Sequence, residues 1–206
     1  MNHYCITREK FMSVEERSKL LRCCKKEANT DYLKQRRTWI KRYMLIHLAL
    51  NSGLRVSEIA ALKLYDLHLN GKENYLVVQS GKGKRKRDVY LDDEICDHLQ
   101  SHIATKRDVW LESIEPHEPL FAGRGGKHYT ITALEISFKK AAEKAGLPKY
   151  YSIHSSRHTY ATLLLAKSKN IRFVQKQLGH ASIAMTSLYA DVLPEMNQNL
   201  ANAILK

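Results

Sequence analysis

Two arginines, two histidines and a tyrosine stand out by type and by setting. Arg55 lies in Gly53-Leu54-Arg55-Val56-Ser57-Glu58. His154 and Arg157 lie in Ile153-His154-Ser155-Ser156-Arg157-His158, His180 in Leu178-Gly179-His180, and Tyr189 follows nine residues later. Arginine grips two phosphate oxygens with a planar fork and stays charged at any working pH. Histidine gives or takes a proton near neutrality. Tyrosine is one of the side chains able to form a covalent intermediate. Together they describe a tyrosine attacking a phosphodiester held by two arginines, a reaction that needs no metal.

Each of these residues needs a helix or a turn to aim it. Ser13 with Glu16 makes a capping box before a helix to about Ala28. Asn29-Thr30-Asp31 is expected to break that helix, with Asp31 capping a second, longer one. On the second helix Trp39, Tyr43, Ile46 and Leu50 keep helical spacing, the mark of core residues. Gly53 ends it, because glycine accepts the left-handed conformation of a C-cap. Arg55 then falls in a tight turn before a short helix through Glu58 and Ala61. Glu58 shares the face of Arg55 and can orient it. The plain alternative is a surface ion pair, worth roughly a few tenths of a kcal/mol.

From Leu64 to Leu91 the pattern turns to strands. Asn70-Gly71 is a hairpin signal, and Tyr75-Leu76-Val77-Val78 and Val89-Tyr90-Leu91 read as strands. The expected sheet has three antiparallel strands, and its second turn, from Ser80 to Arg87, is intensely basic. A solvated loop is one reading of such a block. Its frame of strands and glycines favours a hairpin presented to a phosphate backbone.

Asp92 starts a helix to about Ser113, with Ile95, Leu99, Ile103 and Trp110 on one side. Pro116 and Pro119 mark a linking loop, and Leu120-Phe121 a short extended piece. Gly123-Arg124-Gly125-Gly126-Lys127 lacks the Walker lysine spacing and is not a nucleotide-binding loop. Thr132 with Glu135 makes a second capping box, opening a helix that Gly146 and Pro148 close. Ser152 or its neighbour begins the helix of His154 and Arg157, which share one face. Helix amides near that start favour a bound phosphate. Ile171 to Leu178 is a further helix. After Pro194 the tail is apolar at Met196, Leu200 and Ile204, which marks an apolar face but not its partner.

The 206 residues carry a formal net charge of +13, enough chain for one sizeable domain or a tight pair. The excess of positive charge points to a polyanion, most often nucleic acid, with a solvated basic surface as the alternative. Cys5, Cys23, Cys24 and Cys96 form no C-x-x-C pair, so neither a zinc site nor a disulfide framework is indicated. They read as reduced thiols of a cytoplasmic protein. No apolar run is long enough to span a membrane, and Met1 begins no signal-peptide pattern. His154 and His158 are one helical turn apart but lack a nearby carboxylate ligand, so no metal site is expected.

At these motifs the chain resembles the tyrosine recombinases, the family of phage integrases and Xer-type recombinases. The matching pieces are Gly53 to Glu58, Gly81-Lys82-Gly83, His154 to His158, Leu178-Gly179-His180 and Tyr189. They stand in the family's order, with the family's step from His180 to Tyr189, and span the chain from about its first helix to its end. Asn170 stands where the family often has glycine, and asparagine tolerates the same conformation.

The resemblance implies an α+β fold, mainly α-helical, with a small three-stranded antiparallel sheet: the DNA breaking-rejoining fold. It implies that Arg55 and Arg157 clamp the non-bridging oxygens of a scissile phosphate, with Glu58 in support. Tyr189 is then the nucleophile, giving a 3′-phosphotyrosyl bond and a free 5′-hydroxyl. Lys82 becomes the catalytic lysine and general acid, and Lys84, Arg85, Lys86 and Arg87 contact the DNA backbone. His154 accepts the tyrosine proton or holds it in place, and His180 bonds a phosphate oxygen. No cofactor is expected.

The implied function is site-specific recombination. Type IB topoisomerase-like relaxation, or DNA binding by a regulator with a vestigial site, are the alternatives. The implied partners are double-stranded DNA and further copies of the chain, a tetramer joined through the C-terminal tail. That tail can equally pack on its own domain. Residues 1–206 are expected to form one catalytic domain, with a tail over 1–12 and a tail helix over 194–206. No separate core-binding domain is expected before it.

Overall fold

The computed structural model describes residues 6–69, 71–79 and 86–191. Within them the helices are α1 (Val14–Leu33), α2 (Thr38–Ser52), α3 (Val56–Ala61), α4 (Asp93–Asp108), α5 (Ile131–Lys144), α6 (Ile153–Ser168), α7 (Ile171–Leu178) and α8 (Ala184–Ser187). The strands β1 (Leu67–His68), β2 (Tyr75–Val78) and β3 (Arg87–Tyr90) lie between α3 and α4.

Ser13 caps α1 as its capping box predicts: Ser13 Oγ accepts the Glu16 N–H at 3.1 Å, and Glu16 accepts the Ser13 N–H at 2.7 Å. The expected break at Asn29-Thr30-Asp31 is absent. Thr30 stays helical with its hydroxyl donating to the Lys26 carbonyl at 3.1 Å, and α1 continues to Leu33. Asp31 still caps the next helix, but from inside α1, where its carboxylate accepts the Trp39 N–H at 2.8 Å. On α2 every residue from Met44 to Leu50 is buried. A helix buried on all sides is a central one, and α1, α4, α5 and α6 all pack on it.

The sheet has the order β1-β2-β3 with both pairs antiparallel. Leu76, Val78 and Val89 are buried in it. Val78 pairs with Arg87, so β3 begins at Arg87, earlier than the apolar pattern suggests. Asp92 caps α4 by accepting the Ile95 N–H at 3.0 Å. This helix ends at Asp108, a turn before the expected Ser113, and Leu111 takes a positive φ of 52° as Trp110 turns into the interior. The expected extended piece at Leu120-Phe121 is instead a bend between two isolated bridges, Pro119 with Lys63 and Ala122 with His128, and Leu120 N–H donates to the Leu62 carbonyl at 3.0 Å. The cap of α5 is Thr130, not Thr132. Thr130 Oγ1 accepts the Ala133 N–H at 3.1 Å, which starts the helix earlier and leaves Glu135 beyond a capping box.

A smaller apolar cluster gathers Ile6, Ala161, Leu165, Val174, Leu178 and Tyr189. The described part of the expected N-terminal tail is packed against both cores. Ile6 joins this smaller cluster, Met12 joins the larger one, and Met12 N–H donates to Thr159 Oγ1 at 2.8 Å. The expected tail helix over 194–206 lies outside the described residues. Among the described residues no helix is long and apolar enough to cross a membrane.

Candidate active site

The site is assembled by Arg157 at the ends of two other helices. Ser155 Oγ accepts the Ser152 N–H at 3.1 Å and fixes the start of α6, so that Arg157 follows within its second turn. The Arg157 side chain is buried, and Nη1 donates to the Gly53 carbonyl at 2.6 Å while Nη2 donates to the Leu178 carbonyl at 2.8 Å. Gly53 and Gly179 are the left-handed C-caps of α2 and α7, each with φ 64°. Carbonyls at helix C-termini lack intrahelical partners and carry partial negative charge. One guanidinium thus answers two of them. Arg55 follows Gly53 by two residues and His180 follows Leu178 by two, so the same bonds bring both to Arg157. Burial, and then the charge of Arg55, hold Arg157 down to about 10, which leaves it charged at neutral pH.

Glu58 holds the other arginine. Its Oε2 accepts the Arg55 backbone N–H at 2.8 Å, which caps α3, and its Oε1 accepts Arg55 Nη1 at 2.9 Å. Arg87 reaches the same carboxylate with both fork nitrogens, Nη1 to Oε1 and Nη2 to Oε2, each at 2.8 Å. Burial pushes the Glu58 carboxyl up, but the bonds from Arg87 and from the Arg55 backbone outweigh it and bring it down to about 2. Arg87 Nε also donates to the Gln177 carbonyl at 3.2 Å. The expected DNA-backbone role of Arg87 therefore meets a different geometry: strand pairing turns it inward, where its charge is already matched.

His180 lies beside Tyr189, their rings near-parallel with centroids 6.4 Å apart. His180 Nδ1 is 3.0 Å from Thr186 Oγ1. Burial and the charges of Arg157, Arg55 and Arg87 push His180 down to about 4, so it is neutral at working pH. Tyr189 is 2% exposed, and its hydroxyl lies 3.0 Å from Nδ1 of His158. His154 is exposed at the first turn of α6.

The structure thus brings together Arg55, Glu58, Arg157, His180 and Tyr189. It leaves His154 facing solvent. Lys82, Lys84 and Arg85 lie outside the described residues, and Lys86 is exposed just before β3. Three contributions escape the sequence, the first being the inward role of Arg87. Arg87 hides in a basic run that looks uniformly solvent-facing. Gln177 is 2% exposed and pairs with β3, accepting the Tyr90 N–H at 3.1 Å and donating to the Tyr90 carbonyl at 3.4 Å. The sequence holds no sign of that partner. For His158 the sign is its step of four from His154, but the step does not say which of the two faces Tyr189. Among the described residues, no three His, Cys, Asp or Glu side chains converge as metal ligands.

Two buried or half-buried guanidiniums, Arg157 and Arg55, therefore lie beside neutral imidazoles, with the Glu58 carboxylate shared between Arg55 and Arg87. Such a site attracts an anion of more than one oxygen, and phosphate suits the forks. A phenol sits beside it.

The family model described as the phage integrase family matches residues 10–196. The tyrosine recombinase XerD of Oceanobacillus iheyensis is 33% identical over 153 residues, 74% of this chain and 50% of that protein. A tyrosine recombinase of Pseudothermotoga lettingae is 32% identical over 164 residues, 80% of this chain and 54% of that protein. The chain spans about half the length of these curated relatives. Among solved structures, the XerA recombinase matches with a TM-score of 0.76 at 26% identity, over 97% of this chain and 65% of the other. The XerH site-specific recombinase bound to difH substrate, a pre-cleavage complex, matches with a TM-score of 0.73 at 25% identity, over 91% of this chain and 52% of the other. The family model covers most of the chain, and relatives and fold agree with it: the chain belongs to the phage integrase family.

Proposed function

We propose that the chain is the catalytic part of a site-specific DNA recombinase, which cuts and rejoins DNA through a 3′-phosphotyrosyl intermediate. The observation that carries this reading is the placing of Tyr189 against His180, beside the turns of Arg55 and His180 that Arg157 joins. Arg55 and Arg157 stabilise charge on the non-bridging oxygens as the pentacoordinate state forms. Neutral His180 donates to a phosphate oxygen. Lys82 protonates the leaving 5′-oxygen. The energy of the broken bond stays in the phosphotyrosine, so the reaction needs no nucleotide cofactor. The partners are double-stranded DNA and further copies of the chain, assembled as a tetramer on DNA through the C-terminal tail. The setting is the cytoplasm, in keeping with the free thiols of Cys23, Cys24 and Cys96.

The test uses a nicked suicide duplex carrying the target site, read on a denaturing gel. The wild-type chain forms a covalent adduct with the cut strand. Tyr189→Phe still shifts the duplex on a native gel but forms no adduct. An adduct that persists in Tyr189→Phe sinks the assignment, and Tyr160 or Tyr151 becomes the nucleophile to examine.

A further inference from the structure

We propose that His158 is the base that takes the proton from the Tyr189 hydroxyl. The inference rests on Tyr189 being the nucleophile and deepens that reading by naming the group that activates it. The sequence offers three histidines for this task. Of them, His158 alone places a ring nitrogen at hydrogen-bond distance from Tyr189 Oη, Nδ1 at 3.0 Å, with the rings inclined at 44°. His154 is exposed one turn earlier on α6. His180 has its Nδ1 engaged by Thr186 Oγ1 and lies ring to ring with the tyrosine.

The surroundings of His158 keep its ring unprotonated and able to accept, but as a weak base until the substrate arrives. It is half-buried, and the charged groups that face it are Arg157 and His154 from its own helix and Lys10 from the N-terminal segment; His180 and Tyr189 face it from the far side. Burial, then Arg157, Lys10 and His154, push it down to about 4, so the ring is neutral and has a lone pair to offer. An arriving phosphate places negative charge against Arg157 and Arg55. That offsets the charge which depresses His158, and an imidazole relieved of a cation becomes more basic. The base therefore strengthens when the substrate is in place.

The ring proton of His158 sits on Nε2, and Nδ1 accepts. The Oη–H bond of Tyr189 breaks as the Oη–P bond forms, and the proton goes to Nδ1, giving an imidazolium. The P–O5′ bond breaks, and the 5′-oxygen takes a proton from the separate general acid, proposed above to be Lys82. On rejoining, the 5′-hydroxyl gives its proton back to that same acid's conjugate base as O5′ bonds phosphorus, the Oη–P bond breaks, and the imidazolium returns its proton to Oη. His158 touches the reacting oxygen in both directions.

Two variants test this in single-turnover cleavage of the nicked duplex. His158→Asn keeps an acceptor near the position of Nδ1 but takes up no proton; His158→Ala removes both. Both are expected to bind DNA as the wild type does on a native gel. Both should form adduct more slowly by roughly a hundred- to ten-thousand-fold, the range of one acid-base group. A duplex with sulfur in place of the bridging 5′-oxygen removes the need for the general acid, and it should leave the His158 deficit in place. A His158→Asn chain that cleaves at the wild-type rate overturns the proposal, because a hydrogen bond alone then suffices. Recovery of either variant on the sulfur duplex also overturns it, because His158 would then serve the leaving group. If His158→Ala fails to fold, His158→Asn decides alone. An adduct in Tyr189→Phe defeats the nucleophile and this inference together. Loss of that adduct beside a fast His158→Asn defeats the inference only.

Discussion

At the scale of single residues, Glu58 carries the most. It accepts from the Arg55 backbone, from the Arg55 side chain and from both fork nitrogens of Arg87. Its folded-state pKa is about 2 against an ordinary 4.5. A depressed carboxylate adds stability that is fully present above the unfolded value and disappears as pH falls through the folded value. The window is therefore pH 4.5 down to about 2, and the contribution is on the order of 3 kcal/mol. Glu58→Gln should lose that amount at neutral pH in urea denaturation, since Arg87 is left nearly buried without its counter-charge. The gap between variant and wild type should close as the pH is lowered through the window. A gap that stays constant with pH would mean that packing, not charge, is what the carboxylate supplies. The Arg55–Glu58 pair is legible in the sequence because the two lie three residues apart across a helix start. Arg87 is not legible as a partner, because the contact depends on how β3 lies against α3 and α7.

At the scale of elements, the site is made where helices stop. Gly53 and Gly179 each take φ 64°, and each is also crowded: a Cβ on Gly53 would run into the Tyr160 ring, and one on Gly179 would lie 2.7 Å from Arg87 Cδ. Left-handed backbone costs an ordinary residue roughly 1–2 kcal/mol. Asparagine bears that conformation better than alanine, but both carry a Cβ. Gly179→Ala and Gly179→Asn should therefore both destabilise the fold and push Arg87 off Glu58. Thermal unfolding of the two variants checks this, and wild-type stability in Gly179→Asn would show that φ alone matters. The sequence marks both glycines as helix ends, and that much is read correctly. It misplaces other boundaries for one physical reason. Thr130 caps α5 through a bond set by the folded backbone, and Thr132 nearby looks equally able to do so; Asn29-Thr30-Asp31 reads as a break, yet Thr30 bonds back into α1 and the helix runs on.

At the scale of the whole molecule, the charge and the site make different demands on the same basic run. On the proposed reading the net charge of +13 is the broad attraction for a phosphate backbone. The run from Lys82 to Arg87 reads in the sequence as one patch, yet its last residue, Arg87, is turned inward. Arg87 spends its charge on Glu58, so it is part of the scaffold. On the proposed reading Lys84, Arg85 and Lys86 remain for the DNA. Each phosphate contact contributes about 0.9 to the slope of log affinity against log salt. Neutralising Lys84, Arg85 and Lys86 together should flatten that slope, by about 2.7 if all three reach phosphates, and weaken random and specific duplex alike. Fluorescence anisotropy on random duplex across a salt series measures it. Arg87→Gln should leave the slope nearly unchanged while lowering stability, the opposite signature. A slope that ignores the triple variant but responds to Arg87→Gln would reverse the division, returning Arg87 to the DNA and leaving the neighbouring charges to solvent.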